Sequence, residues 1–133
     1  MLGLSRLALT DQNITIEINS VAYSGVVASA TLIANNNVSQ YVTLSSSEPI
    51  PAPTTWQLNV RGLQDWDTGV SPGFSRAMWN AAATGTAVTF ELVVDTGTFT
   101  GSIQPVFPNA GGDATAVLED DMTFEVVGTP TLT

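Results

Sequence analysis

The chain has 133 residues, of which 44% are hydrophobic and only 11% are charged, and its 12 acidic residues against 3 arginines give a net charge of −9. It contains no cysteine, histidine or lysine. Disulfides, thiolate or imidazole metal sites, serine–histidine catalysis and Schiff-base chemistry are therefore excluded within the chain. Its length predicts one domain over residues 1–133. With only three arginines, tight nucleic-acid binding is not expected. No apolar run has the length of a signal peptide or of a membrane span, so neither is predicted.

Alternation of apolar and polar residues predicts strands through the first half of the chain. In the first of them Ile14, Ile16 and Ile18 alternate with threonine, glutamate and asparagine. The strands predicted in this half cover residues 14–18, 26–33, 41–44 and 56–61. Three consecutive asparagines at 35–37 favour a turn, because asparagine tolerates left-handed backbone conformations.

A proline-rich segment separates the last two of these strands. Pro49, Pro51 and Pro53 follow three serines that include Ser46. Proline has no backbone N–H to donate to a sheet, so residues 45–55 are predicted to form an extended loop or arm and not a central strand.

One helix is predicted over residues 72–84. Ser71 is a suitable N-cap, Pro72 suits the first helical position, and Gly85 suits the residue after the helix. An apolar stripe at helical spacing consists of Phe74, Ala77, Met78 and Ala81. We expect this stripe to pack on the sheet.

Three further strands are predicted after the helix. Residues 86–95 and 98–106 read as a hairpin joined by a Thr96–Gly97 turn, with Pro105 at its edge, and the last strand contains Met122. Alternation directs one set of side chains to the core, namely Ile16, Phe90, Leu92, Phe124 and Val126. It directs the acids Glu17, Glu91, Asp95 and Glu125 to the opposite faces. The fold predicted is mainly β, an antiparallel sandwich or barrel with one short flanking helix.

Few residues suggest a chemical site. The acidic clusters Asp65-Trp66-Asp67 and Glu119–Asp121 lack the spacing of a calcium loop and are read as a solvated turn and a strand end. We therefore predict no cofactor, no metal and no enzymatic activity. Trp56 falls on the apolar face of its strand and is assigned to the core, whereas Trp66 and Trp79 fit either the core or an interface.

A family resemblance rests on the order of several segments. The stretch Trp56–Trp66 is followed by the helix, by Gly85–Leu92, by Gly101–Ile103, by a glycine-rich loop, and by Phe124–Pro130. Over roughly residues 54–130 the chain resembles the major tail tube proteins of long-tailed, non-contractile bacteriophages.

That resemblance implies a virion protein made in the host cytoplasm. Six subunits would form a ring, rings would stack into a tail tube, and DNA would pass through without specific binding. Tape measure and tail terminator proteins would be partners, Met1–Gln12 and the arm would bridge subunits, and some of the four acids would line the lumen. Alternatives left open are a tail terminator or head–tail connector ring, a capsid decoration protein, and a secreted carbohydrate-binding module.

Overall fold

One antiparallel sheet and one helix account for most of the fold in a computed structural model that describes residues 14–36, 38–51, 53–69 and 72–133. The elements are β1 (Ile14–Ile18), β2 (Val21–Ala22), β3 (Val27–Asn35), β4 (Val38–Val42), β5 (Ser47–Pro51), β6 (Thr55–Leu63), α1 (Phe74–Thr84), β7 (Val88–Val94), β8 (Gly97–Gln104) and β9 (Glu119–Leu132). Seven strands hydrogen-bond in the order β2-β1-β7-β8-β9-β6-β3, and β4 pairs with β5 in a separate ribbon. The large sheet curls into a half-barrel, which confirms the predicted antiparallel β fold with one short helix.

Alternation along the strands separates a buried side of the sheet from an exposed side. Directly paired residues share a side, as Ile16 and Leu92 do between β1 and β7 and as Leu58 and Phe124 do between β6 and β9. The core consists of Ile16, Ile18, Tyr23, Leu58, Val60, Phe74, Met78, Phe90, Leu92, Ile103, Met122 and Phe124. The five residues predicted to face the core are all in contact with it, Val126 as a partly buried neighbour.

The β7–β8 hairpin forms as predicted, but its turn lies one residue earlier. Gly97 pairs with Val94, so the turn residues are Asp95 and Thr96 instead of Thr96 and Gly97. Asp95 has a φ of 56°, a left-handed conformation that a short aspartate side chain tolerates. β8 ends at Gln104, immediately before Pro105, because proline cannot donate to the next pair.

The helix begins two residues later than the sequence predicts, at Phe74 instead of Pro72. Gly73 occupies the N-cap position without a side-chain hydrogen bond, and the predicted cap Ser71 lies outside the described residues. The carbonyl of Asp65 accepts the backbone N–H groups of Ser75 and Arg76 instead, at 3.0 and 3.3 Å. A distant loop thus caps the helix, which no local pattern reveals.

The other end and the inward face of the helix agree with the prediction. Gly85 is left-handed, with a φ of 73°, and its N–H reaches the carbonyl of Ala81. Phe74 and Met78 are buried, and Ala77 packs against the core. No helix in the described part of the chain has the length and apolar character needed to cross a membrane.

The proline-rich segment forms a strand, which corrects its interpretation as a loop. β5 pairs with β4 in antiparallel register, with Pro49 opposite Gln40 and Pro51 opposite Val38. A two-stranded ribbon has a free edge on each strand, so prolines are accommodated where a central strand would lose hydrogen bonds. β4 also begins three residues earlier than the predicted strand at 41–44 and ends at Val42. The segment Met1–Gln12 lies outside the described residues.

Candidate functional site

The exposed side of the sheet is lined by hydroxyl, amide and carboxylate groups. Directly paired residues on neighbouring strands lie on this same side, as Glu17 and Glu91, Glu91 and Thr100, and Gln57 and Glu125 do. Polar residues on this side of five strands include Thr15, Glu17, Thr89, Glu91, Thr98, Thr100, Ser102, Asp121, Thr123, Glu125, Gln57, Asn59 and Arg61. Arg61 is the only cation in this described set, against four carboxylates, so the surface is negatively charged.

Two of these carboxylates face each other beside a small groove. Glu17 and Glu91 are direct partners between β1 and β7. The groove has a volume of about 240 Å³ and is lined by both glutamates, with Ser20, Thr89 and Thr100 among the other residues. The neighbouring turn closes onto β7 through a 2.7 Å hydrogen bond from the N–H of Asn19 to the carbonyl of Thr89.

The carboxylates on β9 are hydrogen-bonded to amides of β6. Gln57 Nε2 donates to Glu125 Oε1 at 2.7 Å, and Asn59 Nδ2 donates to Asp121 Oδ1 at 2.7 Å. Both carboxylates therefore accept a hydrogen bond from a neutral amide donor on the neighbouring strand. Of the four acids singled out from the sequence, Glu17, Glu91 and Glu125 share one side of the sheet, whereas Asp95 lies in the β7–β8 turn.

The β4–β5 ribbon, residues 38–51, ends in a tightly bonded tip. The N–H of Thr43 donates to the carbonyl of Ser46 at 2.7 Å, and the N–H of Ser46 donates to Thr43 Oγ1 at 3.0 Å. Thr43 Oγ1 also lies 3.1 Å from Ser46 Oγ. Between these residues Leu44 is fully exposed, and the preceding Val42 is 70% exposed. The ribbon thus holds an apolar side chain out into solvent.

An aromatic pocket lies where β6 leads into the helix. The indole of Trp79 contacts Trp66 on one side and Phe107 on the other, with ring centroids 6.2 and 4.7 Å apart. The pocket has a volume of about 490 Å³, and Arg76 and Leu118 complete its walls, together with Gln64, Asn80, Ala110 and Gly111. The sequence left Trp66 and Trp79 undecided between core and interface, and Trp79 is 45% exposed.

Hydrogen bonds within the chain fix the walls of the aromatic pocket. Gln64 Nε2 donates to the carbonyls of Gly111 and Glu119 at 2.8 and 3.1 Å, and Gln64 Oε1 accepts from Trp66 Nε1 at 3.2 Å. Arg76 Nε donates to the carbonyl of Trp66 at 2.8 Å. Sequence reasoning missed Gln64 and Phe107, because their partners are distant in the chain.

The two acidic clusters have structural partners. Asp120 accepts both the backbone and side-chain N–H groups of Asn109, at 2.9 and 3.1 Å. Asp65 Oδ1 accepts the N–H of Asp67 at 3.2 Å. Burial raises the pKa of Tyr23 above its usual 10.0, and the negative charge of Asp65 raises it further. Within the described residues no group of three acidic, histidine or cysteine side chains is arranged to hold a metal.

Comparison with known proteins identifies a shared fold. No protein-family model matches the chain, and no curated protein is similar to it in sequence. A chain in the virion of a native gene transfer agent particle superimposes with a TM-score of 0.74 at 10% identity. A chain in the tail of an empty gene transfer agent particle, refined helically with C6 symmetry, superimposes with a TM-score of 0.73 at 13% identity. Each comparison covers 95% of this chain and 99% of the other.

Proposed function

We propose that this protein is a structural subunit of a phage-like tail, located in the virion, that forms rings stacked into a tube. The observation that carries the proposal is the likeness in fold to gene transfer agent chains, one of them from a tail with C6 symmetry. The likeness covers 95% of this chain and 99% of each of the other two, so it concerns nearly the full length of the chains compared. A structural role of this kind requires no catalytic group.

The edges of the half-barrel support self-association. The seven-stranded sheet ends in β2 on one side and β3 on the other, and among the strands that the structure describes each of these pairs with only one neighbour. Natural proteins commonly guard such edges with lysine, and this chain has none. Pairing of edges between subunits would continue the sheet around a ring, and symmetric closure would satisfy both edges.

The charge of the exposed sheet side supports a conduit for DNA. We assign this side, with Glu17, Glu91 and Glu125, to the lumen of the tube. Repetition of these acids around a narrow channel makes their fields add, so the wall repels phosphates. DNA would then slide through without being held, which agrees with the scarcity of arginine.

Bridging contacts complete the proposal. The β4–β5 ribbon, with Ser46, Pro49 and Pro51, and the following Pro53 would contact a neighbouring subunit, as would Met1–Gln12. A hexameric ring, a tape measure protein inside the tube and a terminator at its end follow from the family resemblance over residues 54–130.

Negative-stain microscopy of the purified protein tests the proposal. Long tubes support it, closed single rings favour a tail terminator or connector, and a stable monomer favours a decoration protein or a carbohydrate-binding module. Ile33→Lys, on the edge strand β3, should leave the subunit folded and prevent assembly. Val127→Lys, at an exposed position of the internal strand β9, is the matched control and should still assemble.

A further inference from the structure

The aromatic pocket and the ribbon tip are two exposed apolar features of the described part of the chain. Trp79 and Leu118 line the pocket and are 45% and 42% exposed, and Phe107, which packs against Trp79, is 54% exposed, although burying such side chains would be strongly favourable. The side-chain polar atoms of Gln64 and Trp66 are already satisfied by hydrogen bonds within the chain. The surface left for an occupant is chiefly apolar, and its one charge is that of Arg76.

The ribbon tip has the chemistry of such an occupant. Leu44 is fully exposed, and the hydrogen bonds between Thr43 and Ser46 hold the turn that presents it. Docking a prearranged turn loses little conformational entropy. The ribbon sequence 38–51 carries one charged residue, Glu48, whose sign is opposite to that of Arg76.

The tip does not fill the pocket of its own chain. Leu44 is fully exposed and is not among the residues that line the pocket. The ribbon follows the Asn35–Thr55 pair at the beginning of β6, whereas the pocket starts at Gln64, just beyond the end of β6, and a nine-residue strand is about 30 Å long. A contact between tip and pocket is therefore expected between different copies.

We propose that the ribbon tip of one copy, led by Leu44, docks into the aromatic pocket of the next copy. The inference rests on the proposed self-assembly and specifies one of its contacts. Because tip and pocket are different surfaces, the contact is heterologous and runs head to tail. It either closes within a ring or continues from ring to ring.

Directed cross-linking tests this contact, and the absence of native cysteine makes it clean. The double variant Leu44→Cys/Asn80→Cys places one thiol on the tip and one at the pocket wall. Mild oxidation of the assembled protein should give a ladder of disulfide-linked multimers on a non-reducing gel. A ladder that stops at the ring size indicates neighbours within a ring, and a longer ladder indicates contacts between rings. Leu44→Cys/Thr123→Cys, with its second thiol on the exposed side of the sheet and away from the pocket, should give no ladder.

Assembly thresholds provide a second measurement. Leu44→Ser and Trp79→Ala should each raise the protein concentration at which assembly begins by about tenfold or more, because each removes apolar burial from the same contact. Leu132→Ser, at a leucine that is 62% exposed and lies outside the pocket, should leave that threshold unchanged.

The outcomes separate this inference from the proposed function. If wild-type protein forms tubes while Leu44→Ser assembles normally and the Leu44–Asn80 pair does not cross-link, the docking inference is wrong and the tube proposal stands. Loss of assembly in Trp79→Ala alone would assign the pocket to another occupant and also overturn the inference. A wild-type protein that stays monomeric overturns both.

Discussion

Glu17 and Glu91 lie directly opposite each other in the antiparallel pair of β1 and β7, so two like charges share the exposed side of the sheet. Like charges in directly opposed positions destabilise a sheet. The carboxylate of Glu125 differs, because it accepts a 2.7 Å hydrogen bond from Gln57. The Glu17–Glu91 pair therefore does not stabilise the isolated subunit, but it would add negative charge to a wall that repels phosphates.

Replacing Glu91 by glutamine should stabilise the isolated subunit. Relief of the repulsion by Glu17 should raise the free energy of unfolding by roughly 0.2–1 kcal/mol, with the largest gain at low salt. Urea denaturation at two salt concentrations measures the change. Glu125→Gln is the control and should be neutral or slightly destabilising, since a charged acceptor is lost. A decrease in stability for Glu91→Gln would show that the pair is not repulsive.

The ring of Phe74 anchors the helix to the core. It is 4% exposed and lies 5.0 Å, centroid to centroid, from the ring of Tyr23. Phe74→Ala should lower the free energy of unfolding of the subunit by about 3–5 kcal/mol through lost burial and a residual cavity. Chemical denaturation of unassembled protein checks this, with the half-exposed Trp79→Ala on the same helix expected to cost much less. A loss below about 1 kcal/mol for Phe74→Ala would show that the site collapses to fill the cavity.

Local patterns predicted the strands because the period of two is a property of the strand itself. The sides of Phe90 and Glu91 follow from alternation alone, and Gly85 marks the end of the helix through its own backbone preference. Features that depend on distant partners were not predictable. Gln64 is 47 residues from Gly111, whose carbonyl it binds, and nothing near Phe107 in the sequence indicates its contact with Trp79.

The ribbon shows a different reason for failure. Pro49 and Pro51 argue against a central strand, and that exclusion agrees with their place in a ribbon outside the large sheet. The interpretation as an extended loop or arm overlooks that a two-stranded ribbon leaves an edge where no N–H is needed. The sequence predicts a helix start two residues too early, because Pro72 suits a first turn, whereas the structure begins the helix at Phe74 with the carbonyl of Asp65 as its cap.

Ionisation of Tyr23 should destabilise the protein at alkaline pH. Its folded pKa is raised by burial first and by Asp65 second, so the folded state holds the phenolic proton more tightly than the unfolded state does. This contribution to stability is complete below pH 10.0 and is lost as the pH rises through 10.0 toward the raised value. Unfolding free energies measured from pH 8 upward should fall in the wild type and fall less steeply in Tyr23→Phe. Tyr41→Phe, which removes the other tyrosine, is the control. If Tyr41→Phe reduces the pH dependence of the unfolding free energy as much as Tyr23→Phe does, the assignment to Tyr23 is wrong.

Gly62 is required by the close approach of a neighbouring backbone. A Cβ at this position would overlap the carbonyl oxygen of Val26 and lie 2.8 Å from the Cα of Val27. Neither atom belongs to a flexible side chain, so Gly62→Ala should cost on the order of 1–3 kcal/mol of unfolding free energy. Gly85→Ala is the control: it has open space around the added carbon but a φ of 73°, and should cost only about 1 kcal/mol. Thermal melts of both variants decide between steric overlap and backbone strain, and equal losses would contradict the steric account.

The position of Glu91 in the assembled tube can be read from thiol accessibility, since the natural chain contributes no cysteine of its own. Glu91→Cys places a single thiol on the exposed side of the sheet, and in the unassembled subunit it should react with small maleimides and with maleimides carried on large polymers. If this side lines the lumen, assembled tubes should admit the small reagent and exclude the large one, apart from a minor reaction at the tube ends.

Glu125→Cys, on the same side of β9, should give the same pattern as Glu91→Cys, because the sheet continues between the two positions through β8. Ala83→Cys on the exposed face of the helix is the comparison on a different surface, and its reaction in the subunit calibrates both reagents. If tubes of the Glu91→Cys variant react with the large reagent along their whole length, the acids lie on the outer surface, where they would only solubilise the tube. Protection from both reagents would place them in a subunit interface, and either result would remove the charged wall from the proposed mechanism.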